Sequence, residues 1–395
     1  MFHRRPIGLN SLASNAGRSL ARLNALEGFA RAVLVGVVPL LALDALGSKE
    51  AVARMYLLAA IFTLCITLNF SSLERLLQRR WVVTLAGGFL CLAAALLYWG
   101  HGLVFALGIG LRASAASLFS VCLSLYIMDY ITKQHLALNE SRRMLYTGAA
   151  WLTGPFLGTW LWNQGWHTHP FILSVTSALL MVTFFWWLRL GHNQILSAAR
   201  SRSLSPFKAV PRYFSQKRLR IAYSITLTRA TFWVTLFIYG PIYVVEAGLP
   251  GWLAGAFLSL VSGFLFLSPL VRRASERFGT RTVIMAALTL AGSSMFMLGV
   301  LGQPRPAGLV FWCTAALGCA CLDVLGNIPF MRMVKPYERT DMTMVFSTWR
   351  EMSELLTPLT ITLVTLVLPF RTYYLLLGAA LVGVALLAAR LPRRL

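Results

Sequence analysis

The sequence predicts an all-α membrane protein in which twelve transmembrane helices form two pseudo-symmetric six-helix bundles, with both termini cytoplasmic. Three observations predict this class. The 395-residue chain is 57% hydrophobic and only 12% charged, and its mean hydropathy is +0.68, which a soluble globule of this length does not reach. Its cations gather in every second gap between apolar stretches. Short patterns of the first half return about 202 residues later.

Hydropathy and flanking charge give the element order. A span needs about 20 mostly apolar residues to cross roughly 30 Å of hydrocarbon. Residues 1–23 are basic and hold no apolar run, so they read as a cytoplasmic segment, either a tail or a surface helix on anionic lipid, and not as a cleavable leader. The first bundle, 24–190, holds expected helices at 24–46, 55–70, 81–99, 103–130, 144–164 and 170–190. Lys49 and Arg54 fill its first outer gap. Arg75, Arg79 and Arg80, and then Lys133, Arg142 and Arg143, fill its inner gaps. Residues 191–218 are the longest polar stretch and read as a cytoplasmic linker. The second bundle, 219–390, holds expected helices at 219–244, 250–271, 282–301, 307–331, 342–368 and 371–389, and 391–395 is a basic tail. Arg272, Arg273, Arg277 and Arg281 precede its third helix on the inner side; Arg332, Lys335 and Arg339 precede its fifth.

Of the 36 Lys and Arg, 28 fall in segments assigned inward and four in segments assigned outward, so the positive-inside rule sets both termini in the cytoplasm. The net charge of +23 thus reports orientation, and nucleic acid is not an implied partner. The six cysteines all lie in expected helices and read as small packing residues. His167 and His169 share an outer loop and read as polar loop residues, with no metal site. The chain carries no phosphate-binding Gly-Lys-Ser/Thr loop and no catalytic constellation, so neither an enzyme nor a cofactor is expected.

Pro39 and Pro241 are 202 residues apart, as are Asp44 and Glu246, and Pro155 and Pro358 are separated by 203. Three matches at nearly one offset argue for duplication. Two six-helix halves related in this way resemble the major facilitator superfamily of secondary transporters. The resemblance extends to motifs. Glu276-Arg277-Phe278-Gly279-Thr280-Arg281 is similar to the family's gating loop, with Arg272 where that pattern has glycine. The matching loop at Ser72–Arg80 keeps its acid, Glu74, and its terminal arginines but lacks the central glycine. Gly154-Pro155-Phe156-Leu157-Gly158 looks like the Gly-Pro-x-x-Gly motif of the family's proton-coupled exporters. Gly154 and Gly158 also form a small-xxx-small face for close helix approach, and Pro155 bends its helix.

Four basic residues remain inside expected helices: Arg31, Arg112, Arg229 and Arg350. Each costs about 2.5–3.5 kcal/mol near a helix centre, so they are expected to face the protein interior and find partners. Glu27 lies four residues before Arg31, which predicts a local pair. Arg112 has no acid within a turn and sits among small residues, and the family's exporters often carry an arginine in that helix. Asp323 lies in the tenth helix. Arg350, Glu351 and Glu354 share the eleventh, with Glu354 on the face of Arg350. The resemblance implies that helices 1, 4, 7 and 10 line a central cavity bordered by helix 11.

A carboxyl in such a cavity is driven towards the neutral form by desolvation and towards the charged form by a neighbouring arginine, so substrate or water access can tip its proton. Asp323, Glu354 and Glu351 are the expected proton carriers; a static ion network holding helices together is the competing reading. Arg112, Arg229, Arg350 and Arg31 are the expected substrate contacts for an anionic group, with Trp151, Trp233 and Tyr239 for an organic body. Glu276, Arg277, Gly279, Arg281, Gly154, Pro155, Gly158 and Asp129 are expected to gate. The function so implied is alternating-access transport of a small organic solute across the cytoplasmic membrane, in the sense of proton-coupled export, by a monomer whose partners are solute, protons and lipid. Import by proton symport, and a receptor, assembly or lipid-handling role without flux, are the alternatives.

Overall fold

The computed structural model describes residues 13–68, 70–130, 136–188, 206–334, 342 and 345–392. Among these residues the regular structure is entirely helical. The helices are α1 (Ala13–Val35), α2 (Val37–Leu46), α3 (Lys49–Leu68), α4 (Phe70–Trp99), α5 (Leu103–Tyr130), α6 (Leu136–Asn163) and α7 (His169–Trp187). They continue as α8 (Pro206–Ser215), α9 (Lys217–Glu246), α10 (Gly251–Gly263), α11 (Ser268–Phe278), α12 (Thr280–Leu301), α13 (Gly308–Leu325) and α14 (Ile328–Met333). The last two are α15 (Trp349–Thr365) and α16 (Arg371–Ala388).

Ten stretches are long and apolar enough to cross a membrane among the described residues. α6 and α15 occupy the places of the expected fifth and eleventh helices and fall outside that set. The first opens on a polar turn with Glu140, Arg142 and Arg143, and the second is 17 residues long and carries Arg350, Glu351 and Glu354. Two boundaries differ from the sequence reading. α1 starts at Ala13, so the basic segment runs into the first helix: Leu20, Ala21 and Leu23 are buried between exposed Arg18 and Arg22. Residues 206–215 of the expected linker are helical.

Two compact units divide the chain. One comprises Met1–Gly47, Met55–Ala199 and Gly251–Ser259; the other comprises Ser48–Arg54, Arg200–Pro250 and Leu260–Leu395. Within the first, α1 lies against α6 and α7. Hydroxyls stitch these contacts: Ser174 and Ser177 of α7 each donate to an α1 carbonyl, of Ala30 and Leu26, at 2.7 Å. Small residues let main chains approach, as in membrane helix pairs generally. A Cβ at Gly154 would lie 2.6 Å from that of Ala32, and one at Gly158 would collide with the Val33 carbonyl. Within the second unit, α12 packs on α13 and α16, and α9 on α13, α15 and α16.

One backbone conformation recurs between the units. Gly279, between α11 and α12, has φ 86° and ψ 140°. Gln78, 201 residues earlier and inside α4, has φ 61° and ψ 150°. This region is open to glycine and strained for residues with a Cβ, which explains what the missing glycine of the first loop costs. Gln78→Gly is expected to stabilise the protein by about 1 kcal/mol, seen as a higher unfolding midpoint in detergent; an unchanged or lower midpoint would count against the strain.

Candidate functional site

The second unit holds a buried ion pair. Arg229 on α9 and Asp323 on α13 meet at 3.0 Å, with side chains 6% and 22% exposed. Their helices are adjacent, and neither charge could be carried in a spanning helix without compensation. The same guanidinium nitrogen reaches the Leu322 carbonyl at 3.4 Å. Its plane lies 5.0 Å from the centre of the Trp349 ring, and Arg350 approaches that ring from 6.0 Å. Two cations therefore share one indole face system, a contact worth up to about 2 kcal/mol when desolvated. The Trp233 indole nitrogen is buried beside the Asp323 carboxylate without completing a hydrogen bond. Trp233 also stacks on Phe237 at 5.7 Å.

Not every expected residue joins this cluster. Arg350 is exposed and Glu351 and Glu354 are half-buried on α15. Ser353 between them is buried, and its hydroxyl bonds the Arg350 carbonyl at 2.7 Å. Tyr239 lies ten residues beyond Arg229, about 15 Å along the helix. It is 1% exposed and packs on Phe370 at 4.9 Å, so the structure places it in a core, away from the ion pair. Trp349 is the residue that sequence reasoning missed; its only signal was an aromatic beside Arg350.

The first unit holds a second cluster, on α1, α5 and α6. Arg31 pairs with Glu27 through two contacts of 2.5 and 3.2 Å, as the spacing of four predicts. Glu27 is 3% exposed. The Arg31 guanidinium also lies 5.6 Å from the Trp151 ring centre. Arg112 on α5 donates to the Arg31 main-chain carbonyl at 2.6 Å, and its Nε is buried without a hydrogen-bond partner. Among the described residues no carboxylate lies within ion-pair distance of Arg112. Glu27 thus neutralises one arginine, and the unit retains one buried cation.

The loop residues are arranged locally. Glu276 bonds Arg272 at 2.8 Å on the surface of α11, so the arginine standing at the pattern's glycine position holds the loop's acid. Arg277 lies over Phe278 at 5.3 Å, and Arg281 donates to the Leu391 carbonyl at 3.1 Å. Gly279 breaks the chain between α11 and α12 with its positive φ. Pro155 sits inside α6, with Gly154 and Gly158 against α1. Asp129 belongs to α5, and its side chain, like those of Glu74 and Arg75, lies outside the described ones.

Ten apolar spans with buried, compensated charges on several of them define a multi-pass membrane protein of the solute-carrier kind. The family model described as Major Facilitator Superfamily matches residues 20–273, more than half of the chain, and the protein belongs to that superfamily. No match is found among curated proteins. Similar solved structures include the nucleoside transporter NupG, at 14% identity over 95% of this chain and 98% of that one, with a TM-score of 0.71. A POT family transporter in complex with 5-aminolevulinic acid is similar at 13% identity over 98% and 96%, with a TM-score of 0.76. A peptide transporter POT in complex with sulfate is similar at 15% over 95% and 93%, with a TM-score of 0.72. At these identities the likeness concerns the fold.

Proposed function

We propose that the protein is a secondary active transporter that exports a small organic solute bearing an anionic group across the cytoplasmic membrane, by alternating access and at the expense of a proton gradient. Arg112 carries the reading. It is a guanidinium within a spanning helix, bonded to a main-chain carbonyl and with a buried Nε left unmatched. Such a cation in a low-dielectric setting gains most from an incoming anion. Arg31, Arg229 and Arg350 are the further contacts proposed for that group, and Trp151, Trp233 and Tyr239 those for the organic body. The reading also agrees with the solutes in two of the similar structures, 5-aminolevulinic acid and sulfate.

Arg229 differs in already being neutralised by Asp323. A carboxylate paired with one arginine and open to exchange with a substrate anion suits proton coupling, and Asp323 is the proposed carrier, with Glu354 and Glu351 beside it on α15. Twelve helices, two bundles at 24–190 and 219–390 joined by the linker 191–218, cytoplasmic termini and a monomeric state complete the proposal. Glu276, Arg277, Gly279, Arg281 and Asp129 act in it as gating residues, with the Gly154-Pro155-Gly158 helix as the bending element. The Gly-Pro-x-x-Gly pattern favours export over symport.

The test begins with a melting-shift screen of organic anions against their esters and amides. A solute that raises the midpoint is then followed in counterflow exchange with proteoliposomes. The expected result is a shift by an anion and not by its neutral analogue, exchange by the unmodified protein, and at least tenfold weaker binding in Arg112→Ala. A shift without exchange for every ligand would instead favour the receptor or lipid-handling reading.

A further inference from the structure

α8, inside the stretch that reads as a polar linker, is an amphipathic helix. Its register sets Phe207, Val210 and Phe214 within about 60° of one another, with Lys208 and Arg212 on the opposite side. Tyr213 fastens it to the second unit. That side chain is 0% exposed, its hydroxyl donates to the Leu219 carbonyl at 3.0 Å, and its ring lies 6.4 Å from Phe330 of α14, stacked. Burial holds the phenol well above its ordinary ionisation range, so it stays a hydrogen-bond donor.

The rest of the apolar side faces outward. Val210 is 42% exposed and Phe214 39%. Cations flank them: Arg212, Lys217, Arg218 and Arg220 are all exposed. Arg332, two residues from Phe330, is exposed at the same end of the unit. No acidic residue occurs in the sequence between Glu140 and Glu246, so this run of cations has no acid near it in the chain. α9 begins at Lys217 and is one of the ten candidate spans, which fixes α8 at the edge of the membrane.

We propose that α8 lies in the bilayer interface and binds anionic phospholipid, with Val210 and Phe214 against the acyl chains and Arg212, Lys217, Arg218 and Arg220 on the headgroup phosphates. The occupant follows from charge complementarity and from the attachment of α8 to a spanning helix: an amphipathic helix with an apolar stripe and a basic rim is suited to an anionic surface. Each cation near such a surface contributes about fivefold in binding, and that contribution is screened by salt.

Hydrogen exchange of the full-length protein tests this in nanodiscs of phosphatidylcholine alone or mixed with phosphatidylglycerol. Amides of α8 are expected to exchange several-fold more slowly in the anionic discs, with the difference shrinking in high salt. Lys217→Gln/Arg218→Gln/Arg220→Gln should remove the difference while exchange across α12 stays as in the unmodified protein, which separates lost lipid binding from misfolding. Equal exchange of α8 in the two lipids for the unmodified chain would overturn the proposal, as would a lipid difference that persists at full size in the triple variant.

Discussion

Arg229→Gln is expected to lower the stability of the protein by about 3–5 kcal/mol, the usual cost of leaving one member of a buried ion pair alone. The substitution strips Asp323 of its partner at 3.0 Å and removes the cation from the Trp349 face. Asp323→Asn should cost less, because Arg229 retains the Leu322 carbonyl and the indole. In Arg229→Gln/Asp323→Asn the charge imbalance disappears, and much of the loss should be recovered. A double-mutant cycle on unfolding midpoints in detergent reads this as a coupling energy. Additive losses would show that the two charges are compensated elsewhere and that the pair does not hold α9 to α13.

Gly158→Ala should be the most damaging single-methyl change in the first unit. The added carbon would collide with the Val33 carbonyl oxygen and stand 2.8 Å from its carbon. Main-chain atoms cannot rotate away, so α1 and α6 must separate along their shared face. Overpacking ordinarily costs about 1–3 kcal/mol, and a main-chain obstacle puts this case at or beyond the upper end. Gly154→Ala meets the Ala32 Cβ at 2.6 Å and main chain at 3.0 Å and should cost less. Gly88 has nothing within 4 Å of an added carbon, so Gly88→Ala should be neutral, or better by up to about 1 kcal/mol through helix propensity. Melting curves of the three variants suffice; similar losses at positions 88 and 158 would mean that the close approach is not what the glycine serves.

What could be read from the chain follows the range of the interaction concerned. The Glu27–Arg31 pair was legible because it lies within one helical turn. The Gly154 and Gly158 face was legible as a spacing, but its partners Ala32 and Val33 were not, since any span could have supplied them. For Arg229 and Asp323, desolvation says that partners must exist; only the packing of α9 on α13 says which. Arg112 finds a main-chain carbonyl, and such acceptors leave no mark in a sequence. Trp349 escaped notice because its role depends on two arginines converging from different helices. The start of α1 was missed because Arg18 and Arg22 depress the local hydropathy while Leu20, Ala21 and Leu23 turn inward. Pro206 and Pro211 hid α8: the first suits a helix start, but the second sits in the interior, where proline usually ends a helix.

The loop glycines illustrate the same limit. The absence of a central glycine at Ser72–Arg80 was visible, but not that the backbone would keep the glycine conformation at Gln78. Duplication preserved the turn in both halves while the residue suited to it survives in one.

The most direct measurement of the central claim is solute flux into and out of proteoliposomes with and without an imposed pH gradient, for the unmodified protein, Asp323→Asn and Glu354→Gln. The account predicts that the gradient drives net movement of an anionic solute by the unmodified protein. It also predicts that Asp323→Asn retains exchange at equal solute concentrations while losing the response to pH. Flux of the same size with and without the gradient, unchanged by either substitution, would contradict it.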